Sequence, residues 1–409
     1  MLLAVASGAA QAAALVPWVV LALGAMADVA LSARRTGALS VDAPVEVFVG
    51  DRAEIVLTDP APRLGQRVRF AWPAGLEGPS EAAFGPDGRV VAPIRATRRG
   101  TWTLPRVWLF WPSRLGLFEF VPAVAIDAAV RVVPNIRLIR SGALTSQVVS
   151  TLFGVKENRA IGEGSEFHQL REFTAGMDVK SIDWKRSAKK RALVAKELRA
   201  ERNHHVILAL DTGFLMGETA GGLPKIDHAV TAALAVAWAA ALGGDLVGHF
   251  AYDVRPRAFA KPEAGRAAFG RMRSWAAELE YVARETNHTL GLTELNARTP
   301  KRSLIVVFTD FVDTTSAELM LENIGILAKR HLVLFVAIRD PGIKGRLDGS
   351  PDGMGEMAAI VAANQSLSER RLVLERLSRM GVTVIDAAPG QVTARLVSTY
   401  LDIVERELI

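Results

Sequence analysis

The chain has 409 residues, which at roughly 150 residues per domain predicts two to three domains. Half of the residues are apolar (50%) and 22% are charged, so the composition excludes an intrinsically disordered chain. The absence of cysteine excludes disulfides, thiol nucleophiles, iron–sulfur clusters and thiolate zinc sites. The net charge of +6, spread over this length, does not by itself indicate a nucleic-acid-binding protein.

Residues 1–33 are predicted to form a transmembrane anchor. The segment Met1–Ala27 carries no charged side chain. A helix of that length can cross a hydrocarbon core of about 30 Å, although Pro17 is expected to kink it. Arg34 and Arg35 follow directly, and the positive-inside rule places them, with the rest of the chain, in the cytoplasm.

Two other interpretations of this apolar segment stay open. A cleaved signal peptide is one, because the small residues of Ala30-Leu31-Ser32 suit a cleavage site, but the basic start typical of such peptides is missing. A buried core helix is the other, but the segment is long and evenly apolar for that role. Whether the chain has one membrane segment or a short kinked pair is also left open.

Residues 38–138 are predicted to form a β-sandwich-like domain. Apolar and polar residues alternate in segments such as Ala53–Leu57 and Arg67–Trp72. Further strands are predicted at Thr101–Leu104 and Val107–Trp111. Short strands at about ten-residue spacing, separated by turn residues, are typical of an antiparallel sandwich.

Residues 139–160 are interpreted as a linker, and residues 161–203 form a charge-dense segment. From Lys180 to Arg202 nine basic residues stand against three acidic ones. Aromatic residues in this segment suit base stacking, but a solvated basic face near anionic lipid is the preferred interpretation. We also consider a partly buried ion-pair network, with these members: Arg171, Glu172, Asp178, Asp183 and Lys185.

Residues 204–409 alternate apolar strands with helical segments. The predicted strands include Leu246–Tyr252, and the predicted helices include Ile226–Leu242 and Ala264–Arg284. This order predicts a doubly wound α/β domain, in which a mostly parallel sheet is covered by helices on both faces. Ligands of such sheets bind at the carboxyl ends of the strands. Asp211 and Asp310 follow two of the predicted strands, so they are the best candidate site residues in the chain.

The segment Gly162–Glu201 resembles the signature of the Domain of Unknown Function 58 family. Arg98-Arg99-Gly100 and Leu115-Gly116-Leu117-Phe118 are similar to the β-region pattern of that family. The resemblance implies a membrane segment, a β-rich region, the signature and then a von Willebrand factor A-like domain. The signature residues carried over are Gly164, Glu166, Phe167, Arg171, Glu172, Gly176, Asp178, Ile182, Asp183, Trp184, Lys185, Lys196 and Glu197.

The resemblance implies an adaptor function. Proteins of this kind are similar to the von Willebrand A-type partners of MoxR-type AAA+ ATPases, which are thought to assist the assembly or maturation of other complexes at the membrane. No catalytic residues carry over, and no P-loop occurs in the chain. We therefore expect a non-enzymatic protein that contacts the ATPase, its clients and membrane lipid, without a cofactor or nucleic acid.

The alternative is a metal-dependent hydrolase or ligand-binding module that uses Asp211 and Asp310. A von Willebrand A domain binds Mg²⁺ through an Asp-x-Ser-x-Ser motif, a distant threonine and a later aspartate, which supply the oxygen ligands that Mg²⁺ requires. In this chain Gly213 and Leu215 replace both serines, and the threonine cannot be placed. Mg²⁺ binding is thus expected only at a degenerate site. Alternatively, the two aspartates cap the helices that follow their strands, with Asp313 as a further nearby carboxylate.

Overall fold

The structure is a computed structural model that describes residues 2–33, 38–154, 166–174, 177–199, 204–342, 353–406 and 408–409. The chain contains two compact units, residues 1–133 and 134–409, which are described separately below. Arg34 and Arg35, on which the predicted orientation depends, lie outside the described residues.

The chain begins with a long apolar helix, Leu2–Ser32, which contains Pro17. At 1.5 Å per residue it is roughly 46 Å long, more than the thickness of a hydrocarbon core. Its segment Leu15–Ser32 is apolar enough to cross a membrane and is only 11% buried. The helix Lys225–Gly243 is also long and apolar enough, but it is 67% buried inside the second unit.

The remainder of the first unit is built from β-strands that form two sheets around one core. One sheet has the order β1-β3-β7-β5, and the other has the order β2-β10-β8-β4-β6, with β9 paired to β8. All of their pairings are antiparallel except the parallel pair of β10 with β2. The strands are β1 (Ser40–Asp42), β2 (Glu46–Phe48), β3 (Arg52–Thr58), β4 (Arg67–Phe70), β5 (Leu76–Glu77), β6 (Glu81–Ala83), β7 (Arg89–Ala96), β8 (Gly100–Pro112), β9 (Glu119–Phe120) and β10 (Ala123–Val133).

The alternation in the sequence explains the core of this unit. Leu57 of β3 and Val90 of β7 in one sheet pack in the same cluster as Val68 of β4 and Leu109 of β8 in the other. Each of these side chains is at most 2% exposed. Because strand side chains alternate between faces, the polar neighbours of these residues point to the outside.

The two strands predicted at Thr101–Leu104 and Val107–Trp111 are instead one strand, β8. Pro105 lies between the two predicted segments. In the structure the partner strand β10 has a register irregularity between Ala125 and Ala128, directly opposite this proline. A bulge tolerates a residue that cannot donate a ladder hydrogen bond, so the strand continues through Pro105.

The second unit combines helices with a six-stranded sheet. Its helices are Arg137–Arg140, Ala143–Gly154, Trp184–Lys190, Phe214–Gly217, Lys225–Gly243, Gly265–Glu278, His288–Arg298, Thr314–Ala328, Met354–Arg379 and Pro389–Glu405, with a short 3₁₀ helix at Val179–Ser181. Its strands are β11 (Glu166–Glu172), β12 (Val194–Arg199), β13 (His205–Asp211), β14 (Thr219–Ala220), β15 (Leu223–Pro224), β16 (Leu246–Tyr252), β17 (Pro256–Ala264), β18 (Leu304–Phe308), β19 (Leu332–Ile338) and β20 (Thr383–Ala387).

The large sheet has the order β17-β16-β13-β18-β19-β20. Every pairing in it is parallel except that of the edge strand β17, which is antiparallel to β16. The chain leaves β13 toward β16 on one side and later returns to β18 on the other side. The strand order therefore reverses between β13 and β18, which is where ligand sites form in open parallel sheets.

Helices pack on both faces of this sheet. On one face, Ile207 and Ala209 of β13 share a buried cluster with residues of the helices His288–Arg298, Thr314–Ala328 and Met354–Arg379. On the other face, the helix Lys225–Gly243 packs against β13 and contacts the helix Pro389–Glu405. Strands buried on both faces explain the unbroken apolar runs in the sequence.

The segments interpreted as a linker and as the signature have structure of their own. The helix Ala143–Gly154 buries Leu144 and Val148 and packs against the helix Lys225–Gly243. In the signature segment β11 and β12 form an antiparallel pair. The 3₁₀ helix and the helix Trp184–Lys190 lie between these two strands in the chain.

Candidate functional site

The two candidate aspartates lie where the strand order reverses. Asp211 is the last residue of β13, and Asp310 follows the end of β18 by two residues. Both are buried, with 1% and 3% of their surface exposed. The sequence predicted an aspartate at the carboxyl end of each of two strands, and the structure shows that these two strands are neighbours in the sheet.

Hydroxyl groups and a backbone amide saturate the Asp211 carboxylate. Its Oδ1 accepts hydrogen bonds from the Thr286 hydroxyl at 2.6 Å and from the backbone N–H of Gly213 at 2.8 Å. Its Oδ2 accepts a hydrogen bond from the Thr309 hydroxyl at 2.6 Å. These bonds join the ends of β13 and β18 to the loop that precedes the helix His288–Arg298, so Asp211 holds three segments together.

The electrostatic environment of Asp211 is that of a buried group. Burial raises the pKa of its carboxyl, while the nearby His288 and the hydrogen bonds from Thr286 and Thr309 oppose that rise. Burial lowers the pKa of His288, and the charge of Asp211 opposes this shift. No sequence pattern indicated that His288 lies beside Asp211.

Two basic side chains neutralise the Asp310 carboxylate. Lys225 Nζ lies 2.7 Å from Asp310 Oδ2, and a guanidinium nitrogen of Arg370 lies 2.7 Å from Oδ1. Arg370 also contacts Asp386 at 3.0 Å, and Lys225 also contacts Glu218 at 2.7 Å. Asp310 therefore contacts two cations, each of which also contacts a second carboxylate.

The pKa directions agree with this network. Burial alone would lower the pKa of Lys225, but the charges of Asp310 and Glu218 and their hydrogen bonds hold it above its usual value. The pKa of Arg370 is likewise raised by Asp310 and Asp386 against the effect of burial. Both groups therefore remain charged in the folded protein.

The oxygen atoms at this edge do not fit an Mg²⁺ ion. Gly213 and Leu215 provide no hydroxyl where the metal-binding motif has serines, and the carboxylate oxygens of Asp211 and Asp310 already have the partners given above. Within the ranges that the structure describes, no three His, Asp or Glu side chains are grouped closely enough to hold a metal ion. Mg²⁺ needs an octahedral shell of oxygens, which this arrangement does not offer.

Helix capping does not explain Asp211 and Asp310 either. The side chain of Asp310 accepts from the backbone N–H of Phe311, at 3.0 Å, and does not reach the next helix. The residue that caps the helix Thr314–Ala328 is Asp313, whose carboxylate accepts from the N–H of Ser316 at 2.7 Å in a capping box. Asp313 is thus a helix cap, because the helix Thr314–Ala328 begins at the next residue.

The signature residues that the structure describes have local structural roles. The carboxylates of Asp178 and Asp183 accept backbone N–H bonds at the starts of the 3₁₀ helix and of the helix Trp184–Lys190. Asp183 also forms an ion pair with Lys196 at 3.7 Å, and Ile182 is buried and bridges to Ala195. Gly164 and Gly176, in contrast, lie outside the described residues. The strand residues Glu166, Phe167 and Glu197 belong to the β11–β12 pair.

The partly buried ion-pair network of the signature stays a prediction. The side chains of Arg171, Glu172 and Lys185 are exposed, as is that of Trp184. Asp183 forms an ion pair with Lys196, which was not in the predicted set. The backbone amides at the helix starts satisfy the two aspartates locally, so a distant guanidinium is not required.

Sequence reasoning missed Lys225, Arg370, Thr286 and His288 at the candidate site. One available signal was that Lys225 is the first residue of its helix. A cation is unfavourable near a helix N-terminus, so a buried lysine there requires nearby carboxylates. The other three residues lie far from Asp211 and Asp310 in sequence and carry no spacing signal.

Comparison with known proteins identifies the family of the central region. Residues 169–345 match the sequence model of the family described as "Protein of unknown function DUF58". The matched range contains most of the signature together with Asp211, Asp310 and Thr286. No curated protein matches the sequence of the chain.

Three solved structures share a distant likeness with the chain. BatB, a conserved hypothetical protein from Bacteroides thetaiotaomicron, has 13% identity and a TM-score of 0.27, covering 44% of this chain and 99% of its own. Proximal thread matrix protein 1 from the mussel byssus, with a zinc-occupied MIDAS motif, has 10% identity and a TM-score of 0.29, covering 50% and 46%. An uncharacterised membrane-spanning protein from Vibrio fischeri has 13% identity and a TM-score of 0.19, covering 49% and 99%.

These structural likenesses are too weak to support an argument about function. The sequence match is different in kind, because it falls on the segment from which the resemblance was inferred. The resemblance is confirmed over residues 169–345, which match the DUF58 family model.

Proposed function

We propose that this chain is a non-enzymatic interaction protein anchored in the cytoplasmic membrane by the helix Leu2–Ser32. Its second unit would act in the cytoplasm as a docking module for a MoxR-type AAA+ ATPase and for client proteins. Its role would be the assembly or maturation of other protein complexes. Membrane lipid and proteins are the proposed partners, and nucleic acid is not among them.

One observation carries the membrane part of this proposal. In the helix Leu2–Ser32 large apolar side chains, including Leu15, Trp18 and Leu21, are at least 60% exposed in the folded chain. An exposed apolar surface of this length is stable in lipid and unfavourable in water. The cytoplasmic orientation rests on the sequence, through Arg34 and Arg35.

The candidate site supports a binding role more than a catalytic one. Both carboxylates at the edge of the sheet are saturated by internal partners, so neither is available as a general base or nucleophile without rearrangement. We further propose that residues 204–409 are a von Willebrand A-like domain. The strand order around β13 and the position of Asp211 at the point of reversal support this assignment.

Membrane anchoring is tested by fractionation of cells that express the full chain. We expect the protein in the membrane fraction after washes with high salt and alkaline carbonate, and in the supernatant only after detergent is added. A variant that lacks residues 2–32 should move to the soluble fraction. Full-length protein in a salt-washed, detergent-free supernatant would contradict the proposal.

The ATPase partner is tested by affinity purification in detergent with a non-hydrolysable ATP analogue. The full chain is compared with a variant truncated after Val133, the boundary between the two units. We expect an AAA+ ATPase of the MoxR type with the full chain and its loss with the truncated one, while both remain in the membrane. If mass spectrometry finds no such ATPase, the adaptor function is wrong, whereas the anchor is tested independently.

The metal-dependent hydrolase that uses Asp211 and Asp310 stays a prediction. The contacts of the two carboxylates give it no support. Turnover of a substrate by the purified protein alone, lost in an Asp310→Asn variant, would replace the adaptor proposal with this one.

A further inference from the structure

We propose that the Lys225 ammonium is the resident cation of the candidate site. It occupies a place between two carboxylates that a divalent metal ion can take only if the ammonium is removed. The inference concerns the chain alone and stands whether or not an ATPase binds to it.

The Lys225 ammonium lies between two carboxylate oxygens, as a bound metal ion would. Its Nζ lies 2.7 Å from Asp310 Oδ2 and 2.7 Å from Glu218 Oε2. Its side chain is 9% exposed and that of Asp310 is 4% exposed, so water screens the pair weakly. Two carboxylate oxygens that both point at one nitrogen form the core of a cation site, and a lysine occupies it.

The local fold brings Lys225 and Glu218 together. A two-stranded hairpin, β14 with β15, connects them, and the backbone N–H of Lys225 donates to the carbonyl of Glu218 at 2.9 Å. Gly221 and Gly222 both have positive φ at the hairpin turn, which favours glycine. The hairpin thus places the two residues side by side, within reach of the contact between the ammonium and the Glu218 carboxylate.

The Asp211 carboxylate is inaccessible to a metal ion for a different reason. A Cβ atom at Gly213 would collide with the Thr286 hydroxyl, the group that donates to Asp211 Oδ1. Thr286 therefore fills the space that a serine side chain at position 213 would need. The glycine at position 213 is thus required by the hydrogen bond that the Thr286 hydroxyl donates to Asp211.

Removal of the ammonium has a specific consequence. Without it, Asp310 Oδ2 and Glu218 Oε2 lose the positive charge that lies between them, and the Glu218 side chain, which is 44% exposed, opens this place to water. Mg²⁺ and Mn²⁺ bind carboxylate oxygens and take their remaining ligands from water, which solvent supplies on the Glu218 side. Arg370 remains on the other oxygen of Asp310 and keeps that carboxylate in place.

The test uses the detergent-purified full chain and a Lys225→Met variant. Bound Mn²⁺ is counted by electron paramagnetic resonance, and the thermal midpoint is recorded with Mn²⁺, with Mg²⁺ and with EDTA. For the wild type we expect no bound Mn²⁺ and the same midpoint in all three conditions. For Lys225→Met we expect a lower midpoint in EDTA, a partial recovery with Mn²⁺ and one bound Mn²⁺ per chain.

Control variants assign the binding to this site. Lys225→Arg retains the positive charge and should bind no Mn²⁺. Lys301→Met removes an exposed lysine elsewhere and should behave like the wild type. Lys225→Met combined with Glu218→Gln should lose the Mn²⁺ that the single variant binds.

Two results would overturn the proposal. The first is a wild-type chain that binds Mn²⁺ or changes its midpoint in EDTA, because the site would then be a metal site already. The second is a folded Lys225→Met variant that binds no Mn²⁺. If that variant does not fold, the wild-type measurements alone decide.

Discussion

His249 is predicted to make the stability of the second unit depend on pH. It lies in the central part of β16, is 9% exposed, and stacks on Trp275 with ring centroids 3.9 Å apart. Burial lowers its pKa from 6.5 to about 4, because the charged imidazolium is poorly solvated there. The unfolded chain therefore binds a proton between pH 6.5 and 4 that the folded chain does not bind.

The sign and size of the effect follow from this difference. The contribution of His249 is fully present above pH 6.5 and is lost as the pH falls from 6.5 toward 4. The full difference in the pKa of His249 between the folded and unfolded chain corresponds to about 3 kcal/mol in the free energy of unfolding. At pH 5 about 2 kcal/mol of this free energy is lost. A His249→Phe variant keeps an aromatic ring beside Trp275 but has no titrating group there.

The assay is urea unfolding of the detergent-purified chain at pH 7.5 and pH 5.0. The wild type should lose about 2 kcal/mol more than His249→Phe between these two pH values. Other titrating groups are shared by both proteins and cancel in the comparison, provided that their m-values agree. Equal losses in the two proteins would refute the assignment of a buried, neutral imidazole at this position.

Three further substitutions test contacts of the second unit by chemical denaturation. Gly213→Ala should lower the free energy of unfolding by about 1–3 kcal/mol, because the added methyl group collides with Thr286. In a Thr286→Ala background the same substitution should cost clearly less. If the effects of the two substitutions are additive, the contact is contradicted. Asp313→Ala should cost about 1 kcal/mol through loss of the capping box, and an unchanged midpoint would count against it. Leu295→Ala should cost about 2–5 kcal/mol because the side chain is fully buried, whereas Leu290→Ala on the exposed face of the same helix should cost less than about 0.5 kcal/mol.

Local patterns in the sequence were sufficient to predict the large elements. The apolar run before Asp28 predicted the helix Leu2–Ser32, and the helix predicted at Ile226–Leu242 is observed as Lys225–Gly243. The strand predicted at Leu246–Tyr252 has these bounds in the structure. Fully apolar strands between helices can be buried only in a covered parallel sheet, so the architecture followed from burial alone.

Elements with mixed patterns were missed or were predicted with the wrong bounds. The edge strand β17 is largely half-exposed and lacks a continuous apolar run, and the helix predicted at Ala264–Arg284 ends at Glu278. The helix His288–Arg298 buries few of its residues, so its apolar periodicity is weak. These elements depend on neighbours that the local sequence does not reveal.

The sequence by itself determined that Asp211 and Asp310 lie at one edge of the sheet, because the carboxyl ends of parallel strands lie together. It also determined that a metal site there lacks two ligands. Only the tertiary structure decided what neutralises these carboxylates, since Lys225 and Arg370 come from helices far from Asp310 in the chain. Buried charges must be paired, but any distant cation can satisfy that requirement, and the packing of the helices selects which one does.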